Sequence, residues 1–270
     1  HNQLNSDGQK IVELISSENT LSAPTQALIN SFFNLEIGGR KISCPYFNNA
    51  RTKTRGGLSV ATGKGSPKEI KEEAELLAKK AKINLSTLNE EPIKKFLVEH
   101  NLGLDCSGFV YHLLDAELKS RGKRGLAAHL SFAPSKNVFR RIIAKLRPVQ
   151  NTDVFTLAQN SNSHAVPLSD IKPADFIVMI NSGAGQDRNH ILLVESVQPG
   201  LINYAHSFAW SADGKYNHGV GRGQIELINP TEGLLAQTWR EKNKIGAENE
   251  TYQRARQAET LEIRRLNSLN

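Results

Sequence analysis

The chain has 270 residues, enough for one large domain or two small ones, and its 39% hydrophobic and 23% charged residues fit a folded globular protein. Its 34 Lys and Arg against 27 Asp and Glu give a net charge of +7, a balance that draws a protein toward polyanions. Aromatics are only 6%, and no basic run is interleaved with them, so a nucleic-acid module is disfavoured against a solvated basic surface. No apolar run is long enough to span a bilayer. Residues 1–9 are polar and lack the apolar core of a signal peptide, although an exported protein whose signal had been removed would look the same.

Residues 9–37 predict helix, with one apolar cluster at Ile11, Val12, Leu14 and Ile15 and a second at Leu28, Ile29, Phe32 and Phe33, closed by Gly38-Gly39. Pro45 suits the first turn of a further short helix. Residues 51–66 predict a loop; Lys64 stands one position too early for a phosphate-binding Gly-Lys-Ser/Thr ending. Ser66-Pro67 with Glu69 predicts a capped helix, and Glu90-Glu91-Pro92 starts another. A helix headed by Cys106 ends near Arg121-Gly122, and residues 137–146 carry a further amphipathic pattern. Residues 150–170 read as irregular. The period then changes to short β-type runs at Phe176 to Ile180, His190 to Val197, Leu201 to Phe208 and Gly223 to Ile228. From Thr231 the chain is polar; Leu234 to Trp239 is expected to pack back, and residues 243–270 to form a solvated helix or tail. Helices followed by strands predict an α+β fold.

The chemistry is concentrated at Asp105-Cys106-Ser107-Gly108-Phe109-Val110. Cys106, Phe109, Val110, Leu113 and Leu114 make one helical face, and Asp105 is a good N-cap. Cys106 then lies on the first turn, where unpaired N–H groups and the helix dipole favour a thiolate. A cysteine nucleophile needs a base from elsewhere in the chain. His190 opens the apolar strand Ile191-Leu192-Leu193-Val194, and His206 lies inside the next strand. If Gln198-Pro199-Gly200 is a three-residue loop, the two histidines share a face as diagonal neighbours; a two-residue loop puts them on opposite faces. The favoured register makes His190 the base and His206 its orienter. Zinc held by Cys106, His190 and His206 is the rival assignment, without supporting helical or turn spacing. No metal and no cofactor are expected. Cys44 and Cys106 form neither a disulfide framework nor a zinc motif, and a bridge between them would silence the nucleophile.

Asp105-Cys106-Ser107-Gly108-Phe109 resembles the DCSGF motif of the NlpC/P60 peptidases, papain-like cysteine enzymes of the bacterial cell wall. Ile171-Lys172-Pro173-Ala174-Asp175-Phe176 resembles that family's L-x-P-G-D-L segment, with Ala174 where glycine is usual. His190-Ile191-Leu192-Leu193-Val194 is similar to its H-V-G-I-Y segment, with Leu192 at the glycine position. Tyr204-Ala205-His206-Ser207 is similar to its later I-H-A-S segment. Pro45-Tyr46 resembles an upstream Pro-Tyr, here separated from the cysteine by a much longer stretch than the family uses.

The resemblance implies a papain-like fold in which the nucleophile helix packs on an antiparallel sheet. The resemblance covers about 38–230 as a catalytic domain with a helical insertion at about 51–100, leaving an N-terminal helical extension over 1–37 and a polar C-terminal helix or tail over 231–270. It implies a Cys106-His190-His206 triad, with Asp105 and Ser107 helping to bind the amino end of a short wall peptide and Tyr46 helping to shape the substrate site. The implied reaction is hydrolysis of the amide between D-glutamate and a diamino acid in peptidoglycan stem peptides, in the cell envelope or outside the cell. An amidase or acyltransferase on another substrate, and a non-enzymatic wall-binding module, are the alternatives.

Overall fold

The computed structural model describes residues 19–49, 58–132 and 138–270. Ser22 and Pro24 open helix α1 (Ala23–Phe33), which buries Thr25, Ile29 and Phe32. The helix stops there. Leu35–Ile37 (β1) and Arg40–Ile42 (β2) pair as a hairpin instead of continuing it. Gly38 and Gly39 both have positive φ, at 59° and 74°, the conformation a two-residue I′ turn demands. The apolar cluster at Ile11 to Ile15 lies outside the described residues. Pro45 starts no helix: it bridges to Gly219, while Tyr46 bridges to Leu104.

The expected capped helix is α2 (Pro67–Lys80). Ser66 Oγ accepts from the Glu69 N–H, and the Glu69 carboxylate accepts from the Ser66 N–H. Helix α3 (Glu90–Glu99) follows, burying Ile93, Phe96 and Leu97. Both helices pack on the β1–β2 hairpin. Helix α4 (Cys106–Ser120) buries Phe109, Val110, Leu113, Leu114 and Leu118. Three short helices follow, α5 (Val138–Leu146), α6 (Pro148–Asn151) and α7 (Val154–Ala158), so residues 150–170 are less irregular than their sequence suggests.

The rest of the chain is built around β3 (Ser163–Ala165), β4 (Phe176–Ser182), β5 (Arg188–Gln198), β6 (Leu201–Phe208), β7 (Gly219–Glu226), β8 (Thr238–Glu241), β9 (Lys244–Ile245), α8 (Glu250–Gln257) and β10 (Thr260–Leu266). Eight strands form one antiparallel sheet in the order β3-β10-β4-β5-β6-β7-β8-β9. The fold is therefore mixed α+β, with N-terminal helices packed against the sheet. Strand side chains alternate between faces, and here both faces are covered. Phe176, Val178, Ile191, Leu193 and Ala205 join the α4 stripe in one core. Ile177, Leu192, Val194, Tyr204, Trp239 and Ala255 form a second core behind the sheet.

Residues 243–270 are not a tail. Strand β10 lies inside the sheet, between β3 and β4. Its charges are used internally: Arg265 makes a bidentate pair with buried Asp175, at 2.7 and 2.8 Å. Arg264, also buried, is held by Ser163, Asn160 and Glu262. A segment this charged reads as solvated in sequence because Asp175, Ser163 and Asn160, which hold it, lie 90 or more positions away.

The β5–β6 hairpin corrects the loop prediction and keeps its consequence. Gln198 pairs with Leu201, so Pro199-Gly200 is a two-residue turn. By itself that register separates the histidines onto opposite faces. Glu195 is an extra residue between the pairs Val194–Tyr204 and Ser196–Asn203, and this bulge shifts the ladder by one. Leu193 pairs with Ala205, so His206 comes opposite Leu192 and shares a face with His190.

Candidate active site

Asp105 is extended, at φ −85° and ψ 174°, and its Oδ1 accepts the Gly108 N–H at 2.6 Å, fixing the start of α4. Cys106 follows at 6% exposure, on the wall of a cleft of about 1350 Å³. The same cleft is lined by Tyr46, Asp105, Ser107, His190 and Trp210. Ile143, Leu146 and Phe155 give it one apolar wall. A smaller hollow of about 760 Å³ over β7–β9 contains neither Cys106 nor either histidine.

The thiol is not the thiolate expected from its helix position. Burial, and then the Asp105 charge, push Cys106 up to about 12. Lys64 and hydrogen bonds from the backbone at Ile191 and Ser107 act in the other direction and are outweighed. Cys44 is fully buried and likewise pushed up to about 12 by burial. Both cysteines are free.

His190 and His206 meet as the register requires. His190 Nε2 lies 2.8 Å from His206 Nδ1, with the rings edge-on at 5.0 Å between centroids. Burial, the facing His206 and Arg254 hold His190 well below the ordinary histidine value. Behind the pair stands Glu241, 3.2 Å from His206 Nε2, at ion-pair distance although the geometry is not that of an aligned hydrogen bond. Glu241 Oε2 also accepts from Tyr204 Oη and Thr251 Oγ1, each at 2.7 Å, and Oε1 accepts from Trp210 Nε1 at 3.3 Å. Despite the opposing cost of burial, His206 and these hydrogen bonds hold Glu241 down at about 2.

With His206 neutral, the proton positions follow from this chain. An ionised Glu241 only accepts, so the hydrogen facing it belongs to His206 Nε2. In a neutral imidazole that leaves His206 Nδ1 as acceptor for the His190 Nε2–H. His190 Nδ1 then carries the lone pair, and it has no hydrogen-bond partner among the described residues. The arrangement delivers one basic nitrogen to the end of the chain nearest the cleft. Cys106 reaches the cleft from the α4 side, beside Ile191, and among the described residues no hydrogen bond joins its sulfur to His190.

Asp105 and Ser107 are engaged from within the chain. Lys64, 5% exposed, donates from Nζ to Asp105 Oδ1 at 2.8 Å, to Thr152 O at 2.9 Å and to Ser107 Oγ. The two groups assigned by resemblance to a substrate amine thus already hold an ammonium ion. Gly108 is explained by the same contact: a Cβ there would lie 2.9 Å from Gly63 O and 3.0 Å from Lys64 Cδ. Tyr46 does reach the cleft in spite of its distance in sequence. Helices α2 and α3 fold away onto β1–β2, and from the described part of the insertion only Thr62 and Lys64 line the cleft.

Ala174 has φ 72°, in the left-handed region that glycine adopts freely, at the position where the resembling motif carries glycine. Glu241 and Lys64 are the site residues missed in sequence. Glu241 lies in the segment taken to pack back or trail off, and Lys64 matched no motif. No group of three or more metal-ligating side chains is found among the described residues. His190 Nε2 and His206 Nδ1 are occupied with each other, which counts against shared zinc. Among the described residues no helix is long and apolar enough to cross a membrane. Compared with family models, curated proteins and solved structures, the chain matches none.

Proposed function

We propose that the protein is a papain-like cysteine peptidase of the NlpC/P60 type that hydrolyses an amide bond in peptidoglycan stem peptides. The observation that carries this reading is one cleft lined by Cys106 and by His190, the latter backed by His206 and Glu241. The DCSGF-like motif at Cys106, the order Cys-His-His, and the positive φ at Ala174 support the family assignment.

In this mechanism the resting pair is thiol and neutral imidazole. As Cys106 Sγ attacks the amide carbonyl, its proton passes to His190 Nδ1. The new oxyanion lies by the Cys106 N–H at the start of α4. His190 returns the proton to the leaving nitrogen as the C–N bond breaks, giving a thioester on Cys106 and a free amine. A water molecule, deprotonated by His190, then attacks the thioester and restores the thiol. His206 holds the ring, and Glu241 holds His206 in the tautomer that leaves Nδ1 basic. Action on wall peptides puts the enzyme in the cell envelope or outside the cell.

The test is the release of new amino groups from purified peptidoglycan. The wild type releases them and Cys106→Ala does not. Binding without release supports the wall-binding module. Release by both proteins rejects the mechanism.

A further inference from the structure

Two arginines stand on the rim of the same cleft without an ion pair among the described residues. Arg254, on α8, and Arg188, the first residue of β5, both line it. Both pack on Gly183: a Cβ at that position would lie 3.0 Å from Arg254 Nη1 and 3.5 Å from Arg188 Cδ. The Arg254 guanidinium sits over the Trp210 ring at 5.1 Å, and the same ring meets His190 edge-on at 5.1 Å between centroids. Trp210 is tied through Nε1 to Glu241, so Arg254 rests on the frame that orders the histidines.

Among the described residues neither guanidinium has an ion pair or a side-chain hydrogen bond. The groups facing Arg254 are Arg188, Asp187, Glu250, Tyr46 and His190. The carboxylates act only at longer range, and Glu250 accepts the Ala212 N–H instead. Burial, and then the neighbouring Arg188, hold Arg254 below the ordinary arginine value. Two like charges sharing one glycine surface repel each other, and an anion between them relieves that repulsion. A guanidinium that packs over an aromatic ring keeps its N–H fork available for a carboxylate. The cleft's other handle is closed, because Asp105 and Ser107 already hold Lys64.

We propose that Arg254 and Arg188 form an anion subsite that takes a carboxylate of the substrate next to the scissile amide, so that the substrate is recognised by its acid group and not by a free amine. This deepens the hydrolase reading and rests on it. The acidic residue of a stem peptide supplies such a group.

The test uses protection of Cys106 from iodoacetamide, which needs no turnover. Two probes are compared: N-acetyl-γ-D-glutamyl-L-lysine amide with its glutamyl α-carboxylate free, and the same compound with that group as carboxamide. The carboxylate form is expected to protect at about tenfold lower concentration. In Arg254→Gln the two probes are expected to protect within about twofold of each other, and in Arg188→Gln the discrimination falls part of the way. Equal protection of the wild type by both probes, protection by neither, or full discrimination surviving in Arg254→Gln overturns the subsite. Discrimination without cleavage of any wall peptide rejects the hydrolase reading and keeps the subsite; cleavage without discrimination does the reverse.

Discussion

At the residue scale the site works by burial. Cys106 is pushed up to about 12, so in the proposed mechanism the thiolate forms only as His190 takes the proton. His190 lies well below the ordinary value of 6.5, so its basic form persists through neutral pH into mild acid. The acid limb of kcat/KM is therefore expected below pH 6.5, where protonation of His190 removes the base; a limb at pH 7 or above contradicts the assignment. Glu241 gives a second prediction. Glu241→Gln puts a donor amide opposite His206 and permits the other tautomer, which leaves His190 Nδ1 protonated. A fall in kcat of about 10- to 100-fold with KM little changed is expected from stopped assays. A wild-type kcat rejects the tautomer role. Glu241 is also held at about 2 against an ordinary 4.5, a depressed carboxylate. Its contribution, about 3 kcal/mol, is present above pH 4.5 and lost as pH falls toward 2. Acid unfolding of Glu241→Gln is accordingly expected to be shallower than that of the wild type.

At the scale of elements, strand β10 makes the strongest demand. It pairs with β3 and β4 and places Arg265 on Asp175, so a chain ended after residue 257 loses an interior strand and unpairs a buried carboxylate. Such a truncation is expected to abolish cooperative thermal unfolding; an unchanged melting curve means that β10 is dispensable. The same element marks the limit of sequence reading. Helix α4 and strands β4, β5 and β6 are legible because each carries a contiguous apolar run or stripe and the cap of α4 is local. Strand β10 is not, because Arg264 and Arg265 find partners only in the folded sheet. The hairpin lies between these cases. Its two histidines were placed on one face, but through a three-residue loop, whereas the chain uses a two-residue turn and a bulge at Glu195. The bulge is held from outside the hairpin: the Leu21 N–H donates to Glu195 O, and Arg222 pairs with the Glu195 carboxylate. No local signal in β5 reports those partners.

At the scale of the whole molecule, the sheet's two faces divide the labour. The α4 face is closed by apolar packing and delivers Cys106 at a helix start; the other face carries His190, His206 and Glu241 on three different strands. They meet at one end of the sheet, where α8 adds Arg254 and the cleft opens. The net charge of +7 has a local counterpart there in Lys64, Arg147, Arg188 and Arg254, which line the cleft, against Asp105, Asp153 and Asp187. The central claim is that amide cleavage passes through Cys106. The direct measurement is the intact mass of the protein, quenched in acid within the first turnovers on a wall peptide, with the modified residue located by fragmentation. An acyl adduct on Cys106 that disappears as product accumulates is the predicted result. Product formed with Cys106 unmodified, or cleavage by Cys106→Ala at the wild-type rate, would contradict it.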